Sequence, residues 1–376
     1  MNRDKNNSHQ IKGRDSNFEL LRIWAMFMII IGHMSWQAFE ADQLSMGGRV
    51  FIDLFCYGSK IAVNLFLMIG IWFLVDSDFK ASRVFKLYGS LWFYSIFITV
   101  ALIVSGLEVS TQDKIYSFFP YLKNRMWFVP QYITLILLSP FLKKAYNGMS
   151  QASMRLLIIV GFFMIGGVCS VNYFMDTRLC ATIWFIYIYF VIAYYKQYVS
   201  DKITHKYYFL FGGITIYFIL VGGALVCLSH TGTVYNIVVQ YIAQYLCDFK
   251  SIPNFICSFC IFIFFSKLDI GSNRVINELS KNTLDVYMIH QHPAFYMILW
   301  TVVCKTHSWQ SSDYFILIYM GTAIALYLAC SIVGRLRVRL IEPLWIKSKL
   351  FKKFCDTIDK LYLPITSDQS LTTKNR

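Results

Sequence analysis

Ten mostly apolar runs divide the chain, at about 18–38, 58–75, 84–106, 127–143, 155–174, 179–199, 207–228, 252–268, 284–304 and 314–334. A helix needs roughly 20 such residues to cross the ~30 Å hydrocarbon core of a bilayer. The pattern therefore predicts an all-α, polytopic transmembrane bundle of about ten spans. The fourth and eighth runs are short and carry Pro130, Pro140 and Pro253. Three regions follow: an N-terminal tail (1–17), a membrane domain (18–334) and a basic tail (335–376). Two segments between runs, 39–57 and 229–251, are longer than tight turns and are read as external lips for a substrate. The second is partly apolar and predicts a surface or re-entrant helix.

Charge orients the bundle. With the N-terminus in the cytoplasm, the cytoplasmic segments hold 26 of the 35 Lys and Arg and the external loops seven. This asymmetry predicts both termini inside, by the positive-inside rule. It also removes nucleic acid as a reading of the net charge of +14, because the bases sit in short loops and in the tail. The tail segment "RLRVRLIEPLWIKSKLFKKFCDTIDKL" (335–361) mixes bases with Leu, Trp and Phe. It either lies along the inner leaflet as an amphipathic helix or is a plain positive flank.

Composition closes off the soluble classes. The chain is 57% hydrophobic and 15% charged, against about a quarter charged in soluble domains. The first run is longer than a signal h-region and no A-x-A site follows it, so it is read as a retained span. The ten cysteines are mostly scattered; "CSFC" (257–260) lies in an apolar run without a second pair and is read as buried, inert thiols. No G-x-S-x-G elbow, H-E-x-x-H or P-loop occurs.

The first run, "NFELLRIWAMFMIIIGHM" (17–34), carries Glu19, Arg22 and His33. Polar groups in a span are expensive and tend to be functional. Arg22 and His33 are eleven residues apart, about three turns, so they share a face about 16 Å apart along the axis. Glu19 is placed to pair with Arg22. Arg suits phosphate or carboxylate; His exchanges protons near neutral pH. The pair is either a ruler for a substrate with an anionic end and a reactive end, as in a coenzyme A thioester, or a snorkelling Arg and a bundle His.

Five stretches in order resemble the type-3 family of membrane acyltransferases. They are the Arg-x10-His span above, "VNLFLMIGIWFLV" (63–75), "FKASRVFKLY" (79–88), "MWFVPQYITLILLSPFL" (126–142) and "LSKNTLDVYMIHQHP" (279–293). The chain departs from the family pattern at Ile69, where Ser is usual beside the retained Gly70. It also departs at Lys86, where Arg is usual after Arg83, and at Asp285, often Gly. The resemblance implies transfer of an acyl group, commonly acetyl, from cytoplasmic acyl-CoA to a hydroxyl of a cell-surface polysaccharide or its lipid-linked precursor. Acetyl-CoA is then a donor substrate, with no bound cofactor or metal, and the chain sits among the lipids of a bacterial cytoplasmic membrane.

The resemblance implies roles for particular residues. His33 is the general base or a transient acyl carrier, and Arg22 holds a donor phosphate or orients the donor. Arg83 and Lys86 bind the coenzyme's phosphates, with plain positive-inside charge as the alternative. Tyr287, His290 and Trp127 are acceptor contacts; for Tyr287 and His290 hydrogen bonds that hold the bundle are the alternative, and for Trp127 an aromatic belt. Asp285 is expected to pair with a loop base. Two other functions compete: a transporter or exporter of an envelope precursor, without acyl chemistry, and a glycan polymerase or ligase. The missing internal repeat argues against the first, and the few bases in the long external loops against the second.

Overall fold

A computed structural model describes residues 16–40, 43–121, 126–168, 177–229, 245–246 and 248–367. The described residues are helical with no strand. The main helices are α1 (Ser16–Gln37), α2 (Met46–Asp76), α3 (Ala81–Val104), α4 (Thr111–Ser117), α5 (Phe128–Gly148), α6 (Gln151–Phe163) and α7 (Thr177–Tyr194). They continue with α8 (Lys206–Ser229), α9 (Ile252–Ser266), α10 (Arg274–Ser280), α11 (Thr283–His290), α12 (Phe315–Leu336) and α13 (Lys349–Ser367). Five are long and apolar enough to cross a membrane: α1, α2, α3, Lys206–Gly223 within α8, and α12 with the turns that carry it to Ile346.

Every apolar run has a helical counterpart, but two boundaries differ from expectation. The segment 39–57 is not all loop, because α2 already begins at Met46. Ser45 caps it, its Oγ accepting from the Gly48 N–H at 3.1 Å. Arg49 and Asp53 interrupt an otherwise largely apolar first part of α2, and the whole helix is apolar enough to cross a membrane. The ninth run, 284–304, is two pieces: α11 ends at His290, and helix resumes at Tyr296. Pro293 lacks the N–H a continuous helix needs. Most of 229–251 lies outside the described residues.

α1 is the central element. In its apolar stretch 67% of residues are buried, against 17% in that of α8. Its neighbour α2 comes very close: a Cβ at Gly32 would lie 2.0 Å from the Ser59 Cβ. Small residues at such a crossing let two membrane helices touch backbone to backbone. Both ends of α1 are tied down. At one end Asn17 Nδ2 donates to the Phe265 carbonyl (2.9 Å), and Ser16 Oγ accepts from the Asn273 N–H (2.6 Å). At the other, the Tyr319 hydroxyl donates to the Ile31 carbonyl (2.5 Å), Ser35 bonds Tyr319 at 2.7 Å, and Trp300 Nε1 donates to Gln37 (2.9 Å). A buried helix with polar locks at both ends cannot rotate freely, which fixes where Arg22 and His33 point.

Of the "CSFC" thiols, Cys257 is buried and Cys260 is half-buried. Buried Cys257 donates from Sγ to the Gly213 carbonyl at 3.2 Å, joining α9 to α8. The tail after α12 folds back as the amphipathic α13, which packs on α3. Phe79 stacks on Tyr362 at 3.9 Å, and Phe85 meets Phe354 at 4.8 Å. Asp285 does pair with a base beyond α12: Arg337 Nε lies 2.9 Å from its Oδ1. Gly334 makes room for this carboxylate, since a Cβ there would be 2.7 Å from the Asp285 Cβ.

Candidate functional site

The site is assembled from α1, α2, α5, α11 and the segment before α9. His33 Nδ1 lies 3.0 Å from His290 Nε2, across 257 residues of sequence. His290 is fully buried, and its Nδ1 lies 2.6 Å from the Val286 carbonyl one turn back on α11. A carbonyl only accepts, so His290 Nδ1 carries the proton. The neutral His290 ring then offers Nε2 as an acceptor, and His33 donates to it from Nδ1. By this chain of assignments the lone pair on His33 Nε2 is left unused. An imidazole whose Nδ1–H is held by a partner is fixed in the tautomer that makes Nε2 the base.

His33 borders a small, partly open cleft of about 80 Å³. Met26, Ile29 and His33 form its α1 wall, Ser59 and Lys60 its α2 wall, and Leu284 and Tyr287 its α11 wall. Val63 and Phe66 of α2, with Trp127, Phe128 and Phe249, complete the lining. Phe249 is placed by Asn64 of α2, whose Nδ2 donates to the Phe249 carbonyl at 2.6 Å while its Oδ1 accepts from Trp184 Nε1 at 2.9 Å. The position of Trp127 in this lining differs from that of a belt residue facing lipid. Tyr287 also lines the cleft, whereas His290 sits behind His33 rather than at the cleft surface. His292 is separate again. Its Nε2 bonds the Ser95 carbonyl (3.2 Å), and its Nδ1 accepts from the Ala294 N–H (3.3 Å), pinning the break after α11.

Arg22 continues the cleft's α1 wall by one turn. Residues 22, 26, 29 and 33 lie along one stripe of an α-helix, so Arg22 is about 6 Å along the axis from Met26. Its Nη1 bonds Glu19 at 2.5 Å. Tyr132 of α5 lies within electrostatic reach of both Arg22 and Arg83, and its hydroxyl abuts α2 at Gly70. A Cβ at Gly70 would lie 2.7 Å from that oxygen, a packing reason for glycine at this position. Arg83 is exposed and donates from Nη1 to Ser77 Oγ (2.8 Å) and to the Asp78 carbonyl (3.1 Å). Lys86 is exposed one turn further along α3. The structure thus gathers His33, Tyr287 and Trp127 in one cleft, with His290 in support, and puts Arg22, Arg83 and Lys86 toward one end of the bundle.

A family model for an acyltransferase domain matches residues 15–334. The chain belongs to the acyltransferase 3 family. No curated protein and no solved structure matches it. For this acyltransferase-family chain, the matched region contains α1 to α12 nearly whole, so the cleft and the Arg22 end both lie inside the family domain. Sequence reasoning left out Ser59, Lys60 and Phe249 as cleft residues, and Tyr132 within electrostatic reach of the two arginines. Lys60 did carry a signal, as a lone cation within an apolar run.

Proposed function

We propose that the protein is an integral membrane O-acyltransferase. It moves an acyl group, with acetyl as the family default, from cytoplasmic acyl-CoA to a hydroxyl of a cell-surface polysaccharide or its lipid-linked precursor. The observation that carries this reading is the Val286–His290–His33 hydrogen-bond chain, which leaves one imidazole nitrogen unused beside a cleft in line with Arg22. His33 Nε2 takes the proton of the acceptor hydroxyl while that oxygen attacks the thioester carbonyl. The carbon–sulfur bond then breaks, and the coenzyme thiolate leaves and regains a proton from His33. General-base assistance of this kind is worth about 10²–10⁴-fold. The Nδ1–H bond to His290 becomes charge-assisted, and stronger, while His33 is protonated.

The donor runs along the α1 stripe. Its acyl end lies at His33, and its phosphates lie toward Arg22, Arg83 and Lys86, at the cytoplasmic face of a bacterial membrane. The acceptor approaches from the other face, between Tyr287 and Trp127. About ten spans with both termini inside fit this arrangement and the distribution of bases. Comparing NMR spectra of the surface glycan from cells with the protein, without it, and with His33→Ala tests the reading. Ester signals are expected only with the wild type, while the variant is still inserted in the membrane. Wild-type ester signals in the His33→Ala strain would remove His33 from the chemistry.

A further inference from the structure

Lys60 is the cleft's one charged lining residue. It follows Ser59, which is pressed against Gly32, so the α2 backbone at Lys60 is fixed next to His33. Its ammonium points along α1 away from Arg22, lying 6.0 Å from the ring centre of Trp36, one turn beyond His33. Several other lysines meet carboxylates. Lys196 pairs with Asp76, Lys250 with Asp248 at 2.7 Å, and Lys143 with Asp78 at 3.5 Å. Among the described residues Lys60 has no such partner. Asp53 lies seven residues earlier on α2, about 10 Å along the axis, and forms no ion pair with it. An ionisable residue within a membrane bundle and without a partner marks a place where a charged ligand is received.

We infer that Lys60 binds the acceptor, selecting a glycan that carries a negative charge, a uronate carboxylate or a glycosyl phosphate, close to the hydroxyl that His33 activates. This deepens the acyl-transfer reading and rests on it. The position of the ammonium on the far side of His33 from Arg22 separates it from the donor's phosphates. The aromatic residues Trp127 and Phe128 supply flat apolar faces for a sugar ring in the same cleft. The charge also serves the reaction. When His33 takes a proton, a second cation develops beside Lys60, and like charges in a poorly solvated site repel. An acceptor anion seated between the bundle mouth and Lys60 offsets that repulsion, so the correct acceptor favours the protonated His33 that a neutral sugar does not.

The test is binding without donor, read by tryptophan fluorescence on the purified full-length protein in detergent. Methyl β-glucuronide, glucose 1-phosphate and methyl β-glucoside are titrated in parallel. The wild type is expected to bind at least one anionic sugar about tenfold or more tighter than the neutral one, the size of a charge-assisted contact. Whichever anion gains identifies the source of the charge. Lys60→Gln should erase the preference, and Lys60→Arg should keep it; circular dichroism and size-exclusion profiles confirm that both variants are folded. Equal or absent binding of the anionic sugars by the wild type overturns the proposal, as does a preference that survives in Lys60→Gln. His33→Ala should leave the preference in place. Loss of acyl transfer as the explanation of the site would leave this measurement standing, so the two readings fail separately.

Discussion

The two ends of the α1 stripe are built differently. At the His33 end the groups are packed from behind. His290 is fully buried and bonded on both ring nitrogens, α2 touches α1 at Gly32, and Tyr319, Ser35, Gln37 and Trp300 lock the helix end. At the Arg22 end, Ser16 and Asn17 also hold the helix, but of the three proposed donor contacts only Arg22, with its partner Glu19, sits within the bundle; Arg83 and Lys86 are exposed on α3. A proton-transfer site needs its nitrogen held within a fraction of an ångström, which buried hydrogen bonds supply. A site for a large, flexible, anionic molecule needs cations that can adjust, and exposed long side chains supply those. The division of labour proposed above follows this contrast in rigidity.

The contrast breaks most severely at His290. Replacing it with Ala removes the acceptor for His33 Nδ1–H and leaves a void, so His33 loses its tautomer and its orientation. The expected result is a fall in kcat of about 10²-fold, within the range for losing base assistance, with KM for acyl-CoA nearly unchanged. His290→Gln offers an oxygen to the same Nδ1–H and should recover part of the loss. A role confined to packing would predict lower yield of folded protein but unchanged kcat in what remains, and Gln would give no rescue.

Arg83 tests the opposite end. Its removal should raise the apparent KM for acyl-CoA about three- to tenfold, less than a buried charged contact because the site is exposed and screened. The maximal rate should stay within a factor of two of wild type. Initial rates in membrane vesicles against acyl-CoA concentration decide this. If kcat falls and KM holds, Arg83 is acting on the chemistry, and the rigid and adaptable ends are not separate.

How much of this was readable beforehand depends on the range of the contact. The Arg22–His33 register is local and follows from 3.6 residues per turn, so it was legible. The all-helical fold was legible too, because the described part of each apolar run is mostly helical, although the ninth run breaks after His290 and five helices are long and apolar enough to cross a membrane. The His33–His290 bond was not, since no periodicity connects positions 257 residues apart; each histidine stood out, but not their pairing. Gly70 and Gly334 could be noticed only as glycines. Their reasons, the Tyr132 hydroxyl and the Asp285 carboxylate, belong to other helices. The start of α2 was missed for a different cause: Arg49 and Asp53 interrupt its apolar pattern, and the Ser45 cap that opens the helix leaves no mark in hydropathy.

The smallest expected effect comes from the tail. The first turn of α3, where Arg83 sits, has no side-chain cap of its own at Lys80. Asp359 of α13 takes that place, its Oδ1 accepting from the Ala81 N–H at 2.7 Å. Trp345 packs so closely on α3 that a Cβ at Gly89 would lie 2.6 Å from its ring. The tail therefore sets the position of the α3 N-terminus, and through it that of Arg83 and Lys86. Removing a helix cap costs about 1 kcal/mol, a factor of roughly five in an equilibrium. Asp359→Ala should thus raise KM for acyl-CoA by up to about fivefold and leave kcat alone, and Asp359→Asn, which keeps an acceptor oxygen, should stay near wild type. The effect should also vanish in an Arg83→Ala, Lys86→Ala background, where there is no longer a donor contact for the cap to place. A KM increase of the same size in that background would show that the tail acts on the donor by another route, and the adaptable end would have to be redrawn around α13 itself.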